Sequence, residues 1–149
     1  MQGEYQAMFQ RVARMHRAGL KATGPRIVIL TALEQDSTHP TAEHLYDTLR
    51  RDHPSLSLST VSHTLDAFIR TGLCRRVSGL GDRLRVDGTP QDHDHAVCHL
   101  CGTIFDVDRA HVQLPTPPGH LSHGLMVMGI HLEYEVICVA CQEAPGRVE

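Results

Sequence analysis

With 149 residues, 41% of them apolar but only 4% aromatic and none Trp, the chain suits one ordinary domain or two small ones whose cores invite a staple such as a metal ion. The net charge of −3 weighs weakly against nucleic-acid binding, yet residues 1–86 hold 12 Lys/Arg against 8 Asp/Glu while residues 87–149 hold 2 against 9, a basic half joined to an acidic, His-rich one. No stretch is long and apolar enough to span a membrane and "MQGEYQAMFQ" has no signal-peptide apolar run, so no membrane partner and a cytoplasmic location are expected.

Met8, Val12 and Met15, with Phe9 and Leu20 nearby, recur at helical spacing until "GLKATG" breaks the pattern. Pro25 opens a second helix bearing Ile27, Leu30 and Leu33. After the turn "DSTHPT", Thr41 can cap a third helix through "AEHLYDTLRR". Beyond "HPSLSLS", Ser57 and Ser59 offer caps for "TVSHTLDAFIRTG", where Val61, Leu65, Phe68 and Ile69 share one face and Gly72 stops the helix. The opposite face presents Ser59, Ser62, His63, Asp66 and Arg70. "LCRRV" and "RLRVD", around the turn "SGLGD", read as a β-hairpin carrying Arg75, Arg76, Arg83 and Arg85.

Three of these helices with the basic hairpin are the parts of a winged helix-turn-helix. In that architecture the last helix enters the major groove of double-stranded DNA and the hairpin touches phosphate. The candidate DNA contacts are Ser59, Thr60, Ser62, His63 and Arg70 on the helix and Arg75, Arg76 and Arg83 on the hairpin, with Arg85 also expected to touch phosphate. The alternative is a small helical domain whose hairpin is merely solvated.

"DGTPQD", residues 87–92, reads as a hinge between a DNA-binding domain at 1–86 and a second domain at 93–149. The second domain suggests an α+β unit, and α+β is the expected fold class of the whole. Short strands are expected near Ala96–Val97, Thr103–Phe105, Leu125–Met128 and Leu132–Val136, with a short helix near Gly119–His123.

Cys98-x-x-Cys101 and Cys138-x-x-Cys141 are separated by 36 residues. Each pair can point two thiolates at one ion, and four thiolates make a closed tetrahedral zinc site tying the ends of the domain together. In a cytosolic chain such pairs point to metal or redox chemistry rather than disulfides, and a thiol–disulfide switch is the alternative. Cys74 has no such partner and reads as packing. A four-thiolate site is saturated, so "HDH" at His93–His95 needs another role. Alternate residues on a strand share a face, which would put both imidazoles together. Asp87, His39 and Asp106 are candidate companions, and imidazole with carboxylate suits a borderline divalent ion such as Fe(II), Mn(II), Zn(II) or Ni(II).

A winged-helix half followed by "RVDGTPQDHDHAVCHLCGTIFDVD" and a terminal CxxC resembles the ferric uptake regulator (Fur) family over nearly the full chain. "THPTAEHLYDTLR", "LSLSTV", "HDHAVCHLCG" and "YEVICVAC" carry the resemblance. It implies an N-terminal winged helix, a hinge and a C-terminal α/β dimerisation domain, in a homodimeric repressor that binds a palindromic operator. It places structural Zn(II) on Cys98, Cys101, Cys138 and Cys141. It places a regulatory Fe(II) or Mn(II) on His39, Asp87, His93, His95 and Asp106. That ligand set is most similar to the peroxide-sensing branch, in which iron and peroxide oxidise a ligand imidazole, here His39 or His93. A manganese- or iron-uptake regulator is the alternative within the family.

Three departures stand out. Ser62 and His63 occupy recognition-helix places where the family commonly has Tyr and another polar residue. Ile130 stands where a His of a third metal site is usual, with His120, His123 and Asp94 as the remaining candidates for a partial one. "HVQLPTPPGH" is shorter and richer in Pro than the family's helix-containing stretch. Two readings of other classes are a metalloenzyme with open coordination positions, which the basic winged-helix half disfavours, and a zinc-stabilised adaptor without exchangeable metal.

Overall fold

The computed structural model of the chain describes residues 2–78, 83–89, 91, 93–113, 116, 118–127 and 130–144. They form two compact units, Met1–Pro90 and Gln91–Glu149. No helix among the described residues is long and apolar enough to cross a membrane.

The first unit holds α1 (Gln2–Arg17), α2 (Gly24–Gln35), α3 (Ala42–Leu49), α4 (Leu58–Arg70), β1 (Arg75–Val77) and β2 (Arg85–Asp87). Local chemistry sets the boundaries. Pro25 sits in the first turn of α2, where its missing N–H costs nothing. Thr41 Oγ1 accepts from His44 N at 3.2 Å and caps α3, which ends at Leu49, two residues short of the expected end. Ser57 alone caps α4, its Oγ accepting from Thr60 N at 3.1 Å, and Ser59 lies inside the first turn. At the other end Gly72 is left-handed at φ 73°, with Leu73 N donating to Phe68 O and Gly72 N to Ile69 O, which stops α4.

The apolar stripes meet in one core of Met15, Ile29, Leu30, Leu33, Leu45, Leu56, Val61, Leu65, Phe68, Leu73, Cys74 and Val86. Each large side chain removed from water there contributes about 1.5–3 kcal/mol. Arg11 and Arg14 both bind the Glu34 carboxylate, fastening α1 to α2. β1 and β2 pair antiparallel, Arg75 opposite Asp87 and Val77 opposite Arg85. Three helices followed by this two-stranded hairpin make the winged-helix arrangement. In the turn between its strands, residues 79–82 lie outside the described residues. Just past β2, Gly88 lies so close to α2 that a Cβ on it would stand 2.5 Å from Leu33 Cγ.

The second unit centres on a three-stranded sheet in the order β4–β3–β5. β3 (Asp94–Cys98) runs antiparallel to β4 (Ile104–Val107) and parallel to β5 (Glu133–Val136), and α5 (Val139–Gln142) follows. Every residue of β3 is buried. The expected strand at Leu125–Met128 is not one: Met126 makes only an isolated bridge with His120, and Met128 lies outside the described residues. The short helix expected near Gly119–His123 is replaced by a single 3-10 turn at Ser122–Gly124. Its His123 is left-handed at φ 64°, a conformation that cannot propagate a right-handed helix.

Among the described residues of this unit the buried apolar ones are few: Ala96, Val97, Cys98, Ile104 and Cys141. A buried ion pair supplements them. Asp94, fully enclosed, accepts from Arg109 Nη2 at 2.8 Å and Nε at 3.1 Å and from Leu132 N at 3.1 Å. Arg109 Nη2 also donates to Ile130 O at 2.6 Å. The Arg109 guanidinium and the Leu132 N–H hold the Asp94 carboxyl below the usual carboxylate range despite its burial.

Two substitutions test this packing. Gly88→Ala is expected to cost about 1–3 kcal/mol of stability through overpacking against Leu33, read as a lower urea midpoint. Asp94→Asn should cost about 3–5 kcal/mol by stripping Arg109 of its counter-charge; unaltered midpoints would show that neither contact constrains the fold.

Candidate metal centres and nucleic-acid face

The four CxxC sulfurs meet at one point. Cys98 ends β3, and the tight turn to Cys101 is closed by Gly102 N donating to Cys98 O, with Gly102 left-handed at φ 74°. Cys138 caps α5 and Cys141 lies in its single turn. Parallel pairing of β3 with β5, Cys98 opposite Val136, carries the second pair to the first. All four Sγ atoms lie within 4.8 Å of one another. Cys101 and Cys138 sulfurs stand 3.7 Å apart, against about 3.8 Å for the edge of a tetrahedron with Zn–S of about 2.3 Å.

The acid–base balance of the cluster fits a cation. The N–H groups of Cys138 and Cys101 draw the Cys98 thiol down to about 6. Hydrogen bonding to Cys138, then burial, pushes Cys141 up to about 12. Four thiolates this close cannot all ionise without a positive charge among them, and an all-sulfur tetrahedral set suits Zn(II).

A second convergence lies in the same unit. His93 Nε2 and His95 Nε2 are 3.0 Å apart. Asp106 Oδ1 lies 3.3 Å from the first and 3.9 Å from the second. The sheet explains this: His93 and His95 are two apart, so they project to one face, and His95 stands opposite Asp106 across β3 and β4. His93 Nδ1 lies 2.9 Å from Gln91 O. Donating there fixes the tautomer and turns an Nε2 lone pair toward His95 and Asp106, the arrangement that a metal-ligating imidazole needs. Both imidazoles are buried and Asp106 is exposed. Two imidazole nitrogens and a carboxylate oxygen facing one point fit a borderline divalent ion.

His39 and Asp87 belong to the first unit, and both are buried. His39 occupies the turn before α3 with φ 54°. Asp87 ends β2, where its Oδ2 accepts from Arg75 Nη2 at 3.2 Å and its Oδ1 from Thr89 N at 2.8 Å.

On α4, Ser59, His63 and Arg70 are exposed, with Thr60 and Ser62 half-buried, so the expected recognition face points outward. Ser62 shares a cleft with Glu43, Asp66 and Arg83 between α3, α4 and the base of the wing. On the hairpin the arginines divide. Arg76 and Arg83 are exposed, whereas Arg75 pairs with Asp87. Arg85, expected to touch phosphate, is turned inward: its Nε donates to His39 O and its Nη2 to Thr38 O.

The partial third site is not assembled. Asp94 is engaged by Arg109, and among the described residues no cluster of ligating atoms includes His120, His123 or Asp94. The roles of Arg109 and Arg85 escape a sequence reading. A signal did exist for Arg109: it and Arg147 are the only basic Lys/Arg residues in the acidic half.

Comparison with known proteins identifies the family. The model of the ferric uptake regulator family matches residues 17–135. The peroxide-responsive repressor PerR of Staphylococcus aureus is 32% identical over 97 residues, which span 65% of this chain and 66% of the relative. The ferric uptake regulator of Pseudomonas aeruginosa, solved with manganese, superposes with a TM-score of 0.71 at 26% identity, over 87% of this chain and 98% of that one. The Helicobacter pylori ferric uptake regulator Fur, described as having three functional metal-binding sites, gives 0.67 at 18% identity over 95% of both chains. The chain belongs to the ferric uptake regulator family, whose members are regulators of transcription and not enzymes.

Proposed function

We propose that the chain is a homodimeric, metal-responsive repressor that binds a palindromic site in double-stranded DNA. Residues 1–86 serve as the DNA-binding domain, 87–92 as the hinge and 93–149 as the dimerisation and metal-binding domain. Zn(II) on Cys98, Cys101, Cys138 and Cys141 staples the second domain. Fe(II) or Mn(II) binds His93, His95 and Asp106, with His39 and Asp87 supplied from the first domain. The observation that carries this reading is the meeting of His93 Nε2, His95 Nε2 and Asp106 Oδ1 at one point, apart from a saturated sulfur cluster.

Each group has a defined task. The bound ion supplies a positive charge and fixed ligand directions. His93, oriented through Gln91 O, and His95 present lone pairs to it, and Asp106 offsets its charge. Joining ligands from both domains limits hinge motion, which in a two-fold dimer sets the spacing of the two α4 helices against half-sites one helical turn apart. Ser59, Thr60, Ser62, His63 and Arg70 then face base edges and backbone, while Arg76 and Arg83 provide the outer phosphate contacts of the wing. Arg75 reaches phosphate only by leaving Asp87.

The finer reading is peroxide sensing, supported by the ligand set and by similarity to the S. aureus peroxide-responsive repressor. His93, His95 and Asp106, with His39 and Asp87, would hold Fe(II), and that ion would activate hydrogen peroxide to transfer one oxygen atom to the His39 or His93 imidazole with loss of water; a ring so modified would no longer serve as a ligand. A metal-uptake regulator is the second reading, favoured by the likeness to the manganese-bound Pseudomonas protein. Peptide mass after iron and peroxide treatment separates the two: a gain of one oxygen on His39 or His93 marks the sensor.

DNA affinity with and without Mn(II) should differ by about 5–150-fold, and His95→Ala should erase that difference; metal-stimulated binding that survives in the variant refutes the regulatory site. For the sulfur cluster, Cys98 is already ionised above about 6, so it sheds no proton at neutral pH, whereas Cys141, held up at about 12, must. Zn(II) uptake by metal-free protein near pH 7.5 should therefore release fewer than four protons, rising toward four as pH falls well below 6. Four protons released at both pH values would contradict the ionisation order.

A further inference from the structure

His39 is held in a conformation its sequence resists. Its φ of 54° is left-handed, where an L side chain crowds its own backbone. The next residue is Pro40, which pushes the residue before it toward extended backbone. Such a conformation persists only where the surroundings over-determine it, and those surroundings are on β2. The Arg85 guanidinium donates through Nε to His39 O and through Nη2 to Thr38 O at 2.6 Å. The next residue, Val86, donates its N–H to Pro40 O at 3.1 Å. Three consecutive carbonyls, 38 to 40, are thus tied to two consecutive residues of one strand. Two of the three ties come from a single planar fork.

We propose that Arg85 is a positioning residue for metal binding: it clamps the Thr38–Pro40 turn in the strained form from which the His39 imidazole acts as a ligand. A planar guanidinium suits two adjacent carbonyls, and an ammonium does not reproduce that fork. The hairpin arginine therefore serves the metal site rather than the phosphate backbone. Asp87, the other proposed first-domain ligand, ends the same strand. This inference rests on the regulatory-site reading above.

The test uses the full-length, zinc-loaded protein and compares Arg85→Ala, Arg85→Lys, His39→Ala and the His39→Ala/Arg85→Ala double variant. Mn(II) affinity, the visible absorption of added Co(II), and the salt dependence of DNA binding at saturating Mn(II) are measured. Both Arg85 variants should lose about 10–100-fold in Mn(II) affinity, as removal of an orienting partner does. Their Co(II) spectra should shift to that of His39→Ala, and the double variant should bind no more weakly than His39→Ala alone. The salt slope should keep its parental value. If Arg85→Ala does not fold, Arg85→Lys carries the test, since it keeps the charge and loses only the fork. Parental Mn(II) affinity in the Arg85 variants beside a weakened His39→Ala overturns this inference alone. A salt slope reduced by about one makes Arg85 a phosphate contact and overturns it too. Parental affinity in His39→Ala takes His39 out of the ligand set and overturns this inference, while loss of affinity in His95→Ala keeps the regulatory site itself.

Discussion

Like charges and lone pairs crowded at the ends of β3 are what the second unit must reconcile. At the strand's C-terminal end, four sulfurs lie within 4.8 Å of one another. At its N-terminal end, two imidazole nitrogens and a carboxylate oxygen face one another. Without a cation, each contact needs a proton between its atoms, and any lone pairs left facing one another repel. A cation in each would replace those protons and relieve the repulsion. The unit has little else: five buried Ala, Val, Ile and Cys residues among those described, and one enclosed ion pair. A small sheet with so slight a core is where a structural metal contributes folding energy directly.

The two clusters divide the labour through their chemistry. Sulfur in a closed tetrahedron leaves no coordination position and no exchange path, which suits a permanent fastening. Nitrogen and oxygen ligands bind less tenaciously and admit several ions, which suits a signal. Asp106 is exposed while the two imidazoles beside it are buried, so the site has an entry from solvent on its carboxylate side. Between the clusters, β3 is buried along its whole length and its first residue is gripped by Arg109. The strand is therefore a rigid bar with a ligand set at each end.

The first unit shows a parallel economy with arginine. Four hairpin arginines present the same side chain, yet they serve different acceptors. Arg75 faces a buried carboxylate, Arg85 two backbone carbonyls, and Arg76 and Arg83 remain at the surface. A count of basic residues on the wing thus overstates the charge available to phosphate. It also understates how much of the wing is committed to shaping the turn and strand end that carry His39 and Asp87.

Short-range order was legible in the amino-acid sequence because it rests on spacings of two to four residues. The helical stripes, the Thr41 and Ser57 caps, the Gly72 stop, the paired CxxC motifs and the alternation of His93 with His95 all follow from helix and strand periods. Where those periods failed, at Leu125–Met128 and Gly119–His123, the segment is Gly-rich and follows a Pro-rich stretch, and neither pattern is sustained. What only the tertiary structure decided is which distant partner each polar side chain takes. Arg109 meets Asp94 across 15 residues and Arg85 meets His39 across 46. A guanidinium binds phosphate, carboxylate and carbonyl oxygen with the same N–H fork, so its identity says what it can hold, and only the fold says which acceptor stands within reach.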